Sequence, residues 1–149
     1  MHEKIKALLV HRRLAPFRDL QSALEEQAID VHCAKSCGEA ALSLWSEQPP
    51  HLVFTDVHLP DGNWADILTL SRKAPLPTNV IVVSPIVDVQ FYIEALERGA
   101  FDFIVPPLSD VNLPYVVLVA ADNVLARRGT PERNLRPDQP KMAGLGSAR

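Results

Sequence analysis

Four short, uninterrupted apolar runs constrain this chain more than any other feature: residues 7–10 (ALLV), 52–54 (LVF), 80–83 (VIVV) and 103–105 (FIV). They are rich in β-branched and large aliphatic side chains, and none alternates with polar residues. A strand that is apolar at every position has to be covered on both faces, which is the situation inside a parallel sheet flanked by helices. A weaker fifth candidate, residues 29–34, alternates, with Ile29, Val31 and Cys33 set against Asp30, His32 and Ala34.

Between these runs the apolar residues recur at three- and four-residue steps. Phe17, Leu20, Leu24 and Ala28 make one stripe, with Pro16 near its start, where proline is tolerated. Residues 36–48 open with Ser36 three positions ahead of Glu39, a capping pattern. They carry Ala40, Ala41, Leu44 and Trp45, and Pro49-Pro50 stops them. Residues 64–73 carry Ile67, Leu68 and Leu70; residues 88–98 carry Val89, Ile93, Ala95 and Leu96, with Gly99 as a C-terminal stop. Residues 109–128 form the longest helical stretch, with Pro114 near its beginning. Strand then helix, five times over, predicts an α/β fold: a doubly wound five-stranded parallel sheet with helices on both faces and right-handed crossovers. In such sheets the functional crevice lies at the carboxyl ends of the strands. The residues that follow the apolar runs are therefore the ones to inspect: His11, Arg12, Thr55, Asp56, Ser84, Pro106 and Pro107.

The 149 residues suffice for one domain, placed at 1–128. Residues 129–149 hold three prolines and three glycines among few apolar side chains, and read as a disordered tail or linker. A formal net charge of -3 gives the domain no general attraction to nucleic acid or an anionic membrane. No apolar run approaches the roughly 20 residues of a membrane-spanning helix, and the N-terminus lacks a signal-peptide core, so the expected compartment is the cytoplasm. Cys33 and Cys37 are the only cysteines, and no ligand set forms around them; both are expected as free thiols.

Four segments, in order, resemble the receiver domain of bacterial two-component response regulators: KALLV (6–10), LVFTDVHLPDG (52–62), VIVVSP (80–85) and ERGAFDFIVPPL (97–108). Each is weak alone; together, at these intervals over about residues 4–128, they are specific. The resemblance implies a flavodoxin-like fold and a role in phosphorelay signalling rather than enzymatic turnover. It makes Asp56 the phosphoacceptor position, Ser84 the hydroxyl that contacts phosphoryl oxygens, and Phe103 the aromatic switch. It makes Pro107 the proline, a cis candidate, that follows an essential lysine. It also implies a sensor histidine kinase as partner, and a homodimer or output domain on the face made by the fourth helix, fifth strand and fifth helix. Phe91, Tyr92, Tyr115, Val116 and Val119 would lie on that face. The run 116–121 (VVLVAA) is apolar on every side, so either a partner or the domain itself must cover its second face.

The departures carry as much information. Where receivers place two acidic residues that hold Mg²⁺, this chain has His11 and Arg12; where they place the lysine, it has Pro106; and Trp64 stands where many have glycine. Mg²⁺ prefers several oxygen ligands, so binding is expected to be weak or absent, with no cofactor and no metal. Phosphoryl transfer is largely positioning and charge neutralisation, so it should be slow or absent. Arg12 is a candidate to pair with Asp56 and supply permanent positive charge; the alternative is a solvated arginine at a helix start. His11 and His58 flank Asp56 in this arrangement, and two imidazoles with a carboxylate suit Zn²⁺, although surface histidines around a crevice are the plainer expectation. Two functions follow: a phosphorylated receiver, or a phosphorylation-independent pseudo-receiver that binds partners.

Overall fold

The structure is a computed structural model that describes residues 4–12 and 15–129. In chain order it runs β1 (Lys6–Val10), α1 (Ala15–Glu26), β2 (Asp30–Ala34), α2 (Cys37–Leu44), β3 (Leu52–Asp56), the two-residue strands β4 (His58–Leu59) and β5 (Gly62–Asn63), and α3 (Trp64–Lys73). Then follow β6 (Asn79–Val83), α4 (Val89–Glu97), β7 (Asp102–Ile104), a 3-10 turn (Leu108–Asp110) and α5 (Leu113–Gly129). Five strands form one sheet in the order β2-β1-β3-β6-β7, and every pairing within it is parallel. The five-stranded parallel sheet expected from the apolar runs is present. The winding reverses between β1 and β3, and it is beside such a switch point, at the carboxyl ends of the strands, that open α/β sheets bind ligands.

Because side chains alternate along a strand, each run feeds two cores. Ala7, Leu9, Leu52, Phe54, Ile81 and Val83 pack with Phe17, Leu20 and Leu24 of α1 and Val117, Ala120 and Val124 of α5. Leu8, Val10, Val53, Val80 and Val82 pack on the other face with Ala40 and Leu44 of α2, Trp64, Ile67 and Leu68 of α3 and Ala95 of α4. Burying one such Leu, Ile or Phe contributes about 1.5–3 kcal/mol before entropy is counted, so the double layer explains why no run alternates.

The boundaries move for local reasons. α1 ends at Glu26, and Ala28, expected within its stripe, lies beyond it in a left-handed conformation (φ 64). α2 is shorter than the 36–48 stretch: Ser36 caps it by accepting the Glu39 N–H, and it stops at Leu44, where the Ser46 hydroxyl donates to the Ser43 carbonyl. In β2 the expected alternation is overturned at its last two residues. Cys33 is exposed and faces polar Gln21 of α1, while Ala34 is buried. Edge strands lack the second neighbour that would cover such a position. α5 begins at Leu113 rather than 109, with the Asn112 side chain accepting the Tyr115 N–H. Residues 130–149, expected as a tail, lie outside the described residues. Among the described residues no helix is long and apolar enough to cross a membrane.

Candidate functional site

β3 carries Asp56 to the carboxyl edge of the sheet, opposite Val83 of β6. Leu52 to Thr55 are buried and Asp56 is half-buried, so a rigid strand presents one carboxylate at its exposed end. Its Oδ1 accepts the Val57 N–H at 2.8 Å. Immediately afterwards Pro60 and Asp61 turn the chain, and β4 pairs with β5 as a small hairpin. Asp61 in that turn accepts the Cys37 N–H at 2.8 Å and the Gly38 N–H at 3.0 Å. These bonds satisfy two of the orphan donors at the start of α2. They also hold the Asp61 carboxyl below its usual range, the Cys37 bond most strongly. Burial, together with the Asp61 charge, pushes the neighbouring Cys37 thiol up to about 11, so it is a protonated packing group. The spacing in sequence marks Asp61 only as a turn residue; its reach to α2 depends on the hairpin.

Ser84 follows β6 and is buried, its N–H donating to the Ile104 carbonyl at 2.9 Å. Its hydroxyl donates to the Ile86 carbonyl at 2.9 Å and accepts the Ile86 N–H at 3.3 Å. The hydroxyl thus closes its own loop. Phe103 on β7 is half-buried and meets Phe91 edge-on at 5.1 Å and Tyr92 edge-on at 5.5 Å. Pro106, at the position of the family's lysine, precedes Pro107, and the bond between them is cis.

The residues after β1 behave differently from expectation. His11 is not a surface histidine beside Asp56. It is buried, and its ring stacks on Phe17 of α1 at 4.7 Å and 19°. The stacking turns the imidazole towards the α1 side of the sheet. Arg12 is exposed, and the expected Arg12–Asp56 pair does not form among the described residues. His58 is exposed, and no group of three His, Cys, Asp or Glu side chains gathers among the described residues to hold a metal. For the Mg²⁺ that the receiver fold implies, the described residues offer the Asp56 carboxylate at the end of β3 but no acid at His11 or Arg12, and this donor set does not fit it.

The face expected for partners is apolar. α5 buries Leu113, Val117, Ala120, Ala121 and Val124 and leaves Tyr115 and Leu118 at 62% and 57% exposure, with Val119 also exposed. The described residues therefore leave the outward face of α5 uncovered. Val116 is half-buried against the α1–α5 core; Tyr92 is exposed, and Phe91 turns inward between Trp64 and Phe103.

Residues 13–118, more than half of the chain, match the response regulator receiver domain family. The matched span begins just past His11 and Arg12, where the chain departs from the family pattern. The chain belongs to this family: it is a receiver domain of the response regulators of two-component signalling. It is 29% identical to the response regulator protein PilR of Pseudomonas aeruginosa over 93% of this chain and 34% of that protein. It is 33% identical to the regulatory protein AtoC of Escherichia coli over 64% of this chain and 21% of that one. The chain thus spans about a third and a fifth of these two relatives. A CheY-like receiver domain from Methanospirillum hungatei JF-1 shares the fold, with a TM-score of 0.69 at 20% identity over 83% of this chain and 98% of that one.

Proposed function

We propose that this receiver domain works as a phosphorylation-independent interaction module in two-component signalling. Asp56 keeps the phosphoacceptor position but lacks the charges that make such a carboxylate reactive. One observation carries the reading: no cation of the described residues pairs with the Asp56 carboxylate, because Arg12 is exposed and His11 is stacked on Phe17. An anionic donor approaching a carboxylate needs its charge screened, and Pro106 provides none where a lysine would. Ser84 supports the same reading, since its hydroxyl is spent on the Ile86 backbone. Output would then pass through the α4–β7–α5 face, where Tyr92, Tyr115, Leu118 and Val119 offer an apolar surface to an output domain or a second copy, in the cytoplasm.

A second reading, an ordinary phosphoacceptor served by a sensor histidine kinase, draws on the placement of Asp56 at a rigid strand end. Incubation with acetyl phosphate and Mg²⁺, followed by intact-mass measurement, separates the two. The expected result is no stoichiometric phosphoryl adduct. A stoichiometric adduct in the wild type that vanishes in Asp56→Asn would establish the second reading instead.

A further inference from the structure

One residue joins three strands at their amino ends. His51 stands just ahead of β3, after Pro49 and Pro50, and is 2% exposed. Its N–H donates to the Lys6 carbonyl at the start of β1 at 2.9 Å. Its carbonyl accepts the Asn79 N–H at the start of β6 at 3.1 Å and the Thr78 hydroxyl at 3.0 Å. Amide and hydroxyl bonds of this kind carry no titratable group. The ring adds a bond that does: Nδ1 accepts the Lys6 N–H at 3.0 Å. His51 and Lys6 thus exchange two bonds, and an imidazole nitrogen takes the part of a ladder carbonyl.

An imidazole nitrogen accepts a hydrogen bond only while it carries no proton. The bond from Lys6 therefore selects the ring form with Nδ1 bare. A proton on Nδ1 would set donor against donor and strip a backbone N–H of its acceptor, a loss that is costly away from water. The charged side chains that line one cavity with His51 are Lys4, Lys6 of β1, Asp30 of β2, Glu47 beyond α2 and Arg128 of α5. Three cations outnumber two carboxylates there, and β6 contributes only the neutral Thr78 and Asn79 to the contacts of His51. Added positive charge on the ring is disfavoured by that balance as well.

We propose that His51 is a proton-operated latch: with Nδ1 bare it fastens the start of β1 to the start of β3, and a proton taken up at Nδ1 unfastens it. The latch lies at the amino ends of the strands and Asp56 at the carboxyl end of β3, so it stands apart from the state of that carboxylate. A free imidazole titrates near about pH 6.5. The unlatched ring takes up a proton below that pH and the latched ring does not. The contribution of the latch to stability is therefore complete above about pH 6.5 and is lost as pH falls.

The test is urea unfolding of the full chain from about pH 8 to about pH 5, wild type against His51→Asn. The Asn Oδ1 reaches the place of Nδ1, accepts the Lys6 N–H and does not titrate. Below about pH 6.5 the unfolding constant of wild type is expected to rise relative to that of His51→Asn by about tenfold per pH unit. Groups common to both chains, His11 among them, cancel in the ratio. A ratio that stays constant over the range, or that falls on acidification, would overturn the proposal. Should His51→Asn not fold, nitrogen NMR of the folded wild type at about pH 6.5 decides. The expected ring carries its hydrogen on Nε2 alone; a hydrogen on Nδ1 at that pH, in either the neutral or the charged ring, would overturn it.

Discussion

A carboxylate in a turn decides how the loop after Asp56 sits. Asp61 joins the hairpin to the start of α2, and its folded pKa lies below that of a free carboxyl because two backbone N–H groups favour the charged form. A group with a depressed folded pKa contributes stability that is complete above the unfolded value and is lost as pH falls through the folded one. Wild type should therefore exceed Asp61→Asn in urea midpoint at neutral pH, and the gap should close as pH drops from about 5 downward. A gap that grew on acidification would show that these bonds do not set the charge state. At the same scale, side-chain direction was not legible from the residues themselves. His11 and Arg12 occupy the same stretch of chain, yet one stacks into the core and the other is exposed. Only the position of Phe17, brought in by α1, explains the difference.

The helices could be read because their signals are local. Ser36 and Asp88 cap α2 and α4 from sequence-adjacent positions, and Gly99 (φ 108) follows the last residue of α4 and its cap. The missed limits have equally local causes: Ser46 closes α2 early, and Asn112 starts α5 late. α5 illustrates what periodicity leaves open. Its run 116–121 is apolar on every side, so only packing distinguishes Val117 and Ala120, buried, from Leu118, largely exposed. Val124→Ala should cost about 2 kcal/mol in denaturant unfolding through the cavity it leaves. Leu118→Ser should stay within about 0.5 kcal/mol of wild type. Equal losses at both positions would mean that the outward face of α5 is covered after all.

At the scale of the whole molecule, the base of the sheet is tied together by the last turn of α5. Arg128 donates from Nε to the Pro77 carbonyl at 2.8 Å and from Nη2 to the Pro50 carbonyl at 2.6 Å. Arg127 bonds Asn79 and Asn123. These contacts fasten α5 to the segments that lead into β3 and β6, the strands that carry Asp56 and Ser84. Arg128→Met keeps the aliphatic stem but removes the charge-assisted bonds, and should lower stability by about 2 kcal/mol in urea. An unchanged urea midpoint would assign the hold of α5 to its apolar face alone.

The sequence by itself determined the alternation of strands and helices, the two-faced burial of the sheet, the family, and the placement of Asp56 at a strand end. The alternation, the burial and the placement follow from period and chain order, which neighbouring residues encode, while the family was legible as a resemblance carried by four short motifs. Tertiary structure alone decided that Arg12 does not pair with Asp56, that Ser84 turns its hydroxyl onto its own loop, and that Trp64, Phe91 and Phe103 meet. Those outcomes depend on residues far apart in the chain competing for the same few ångströms, and no local pattern records which of them wins.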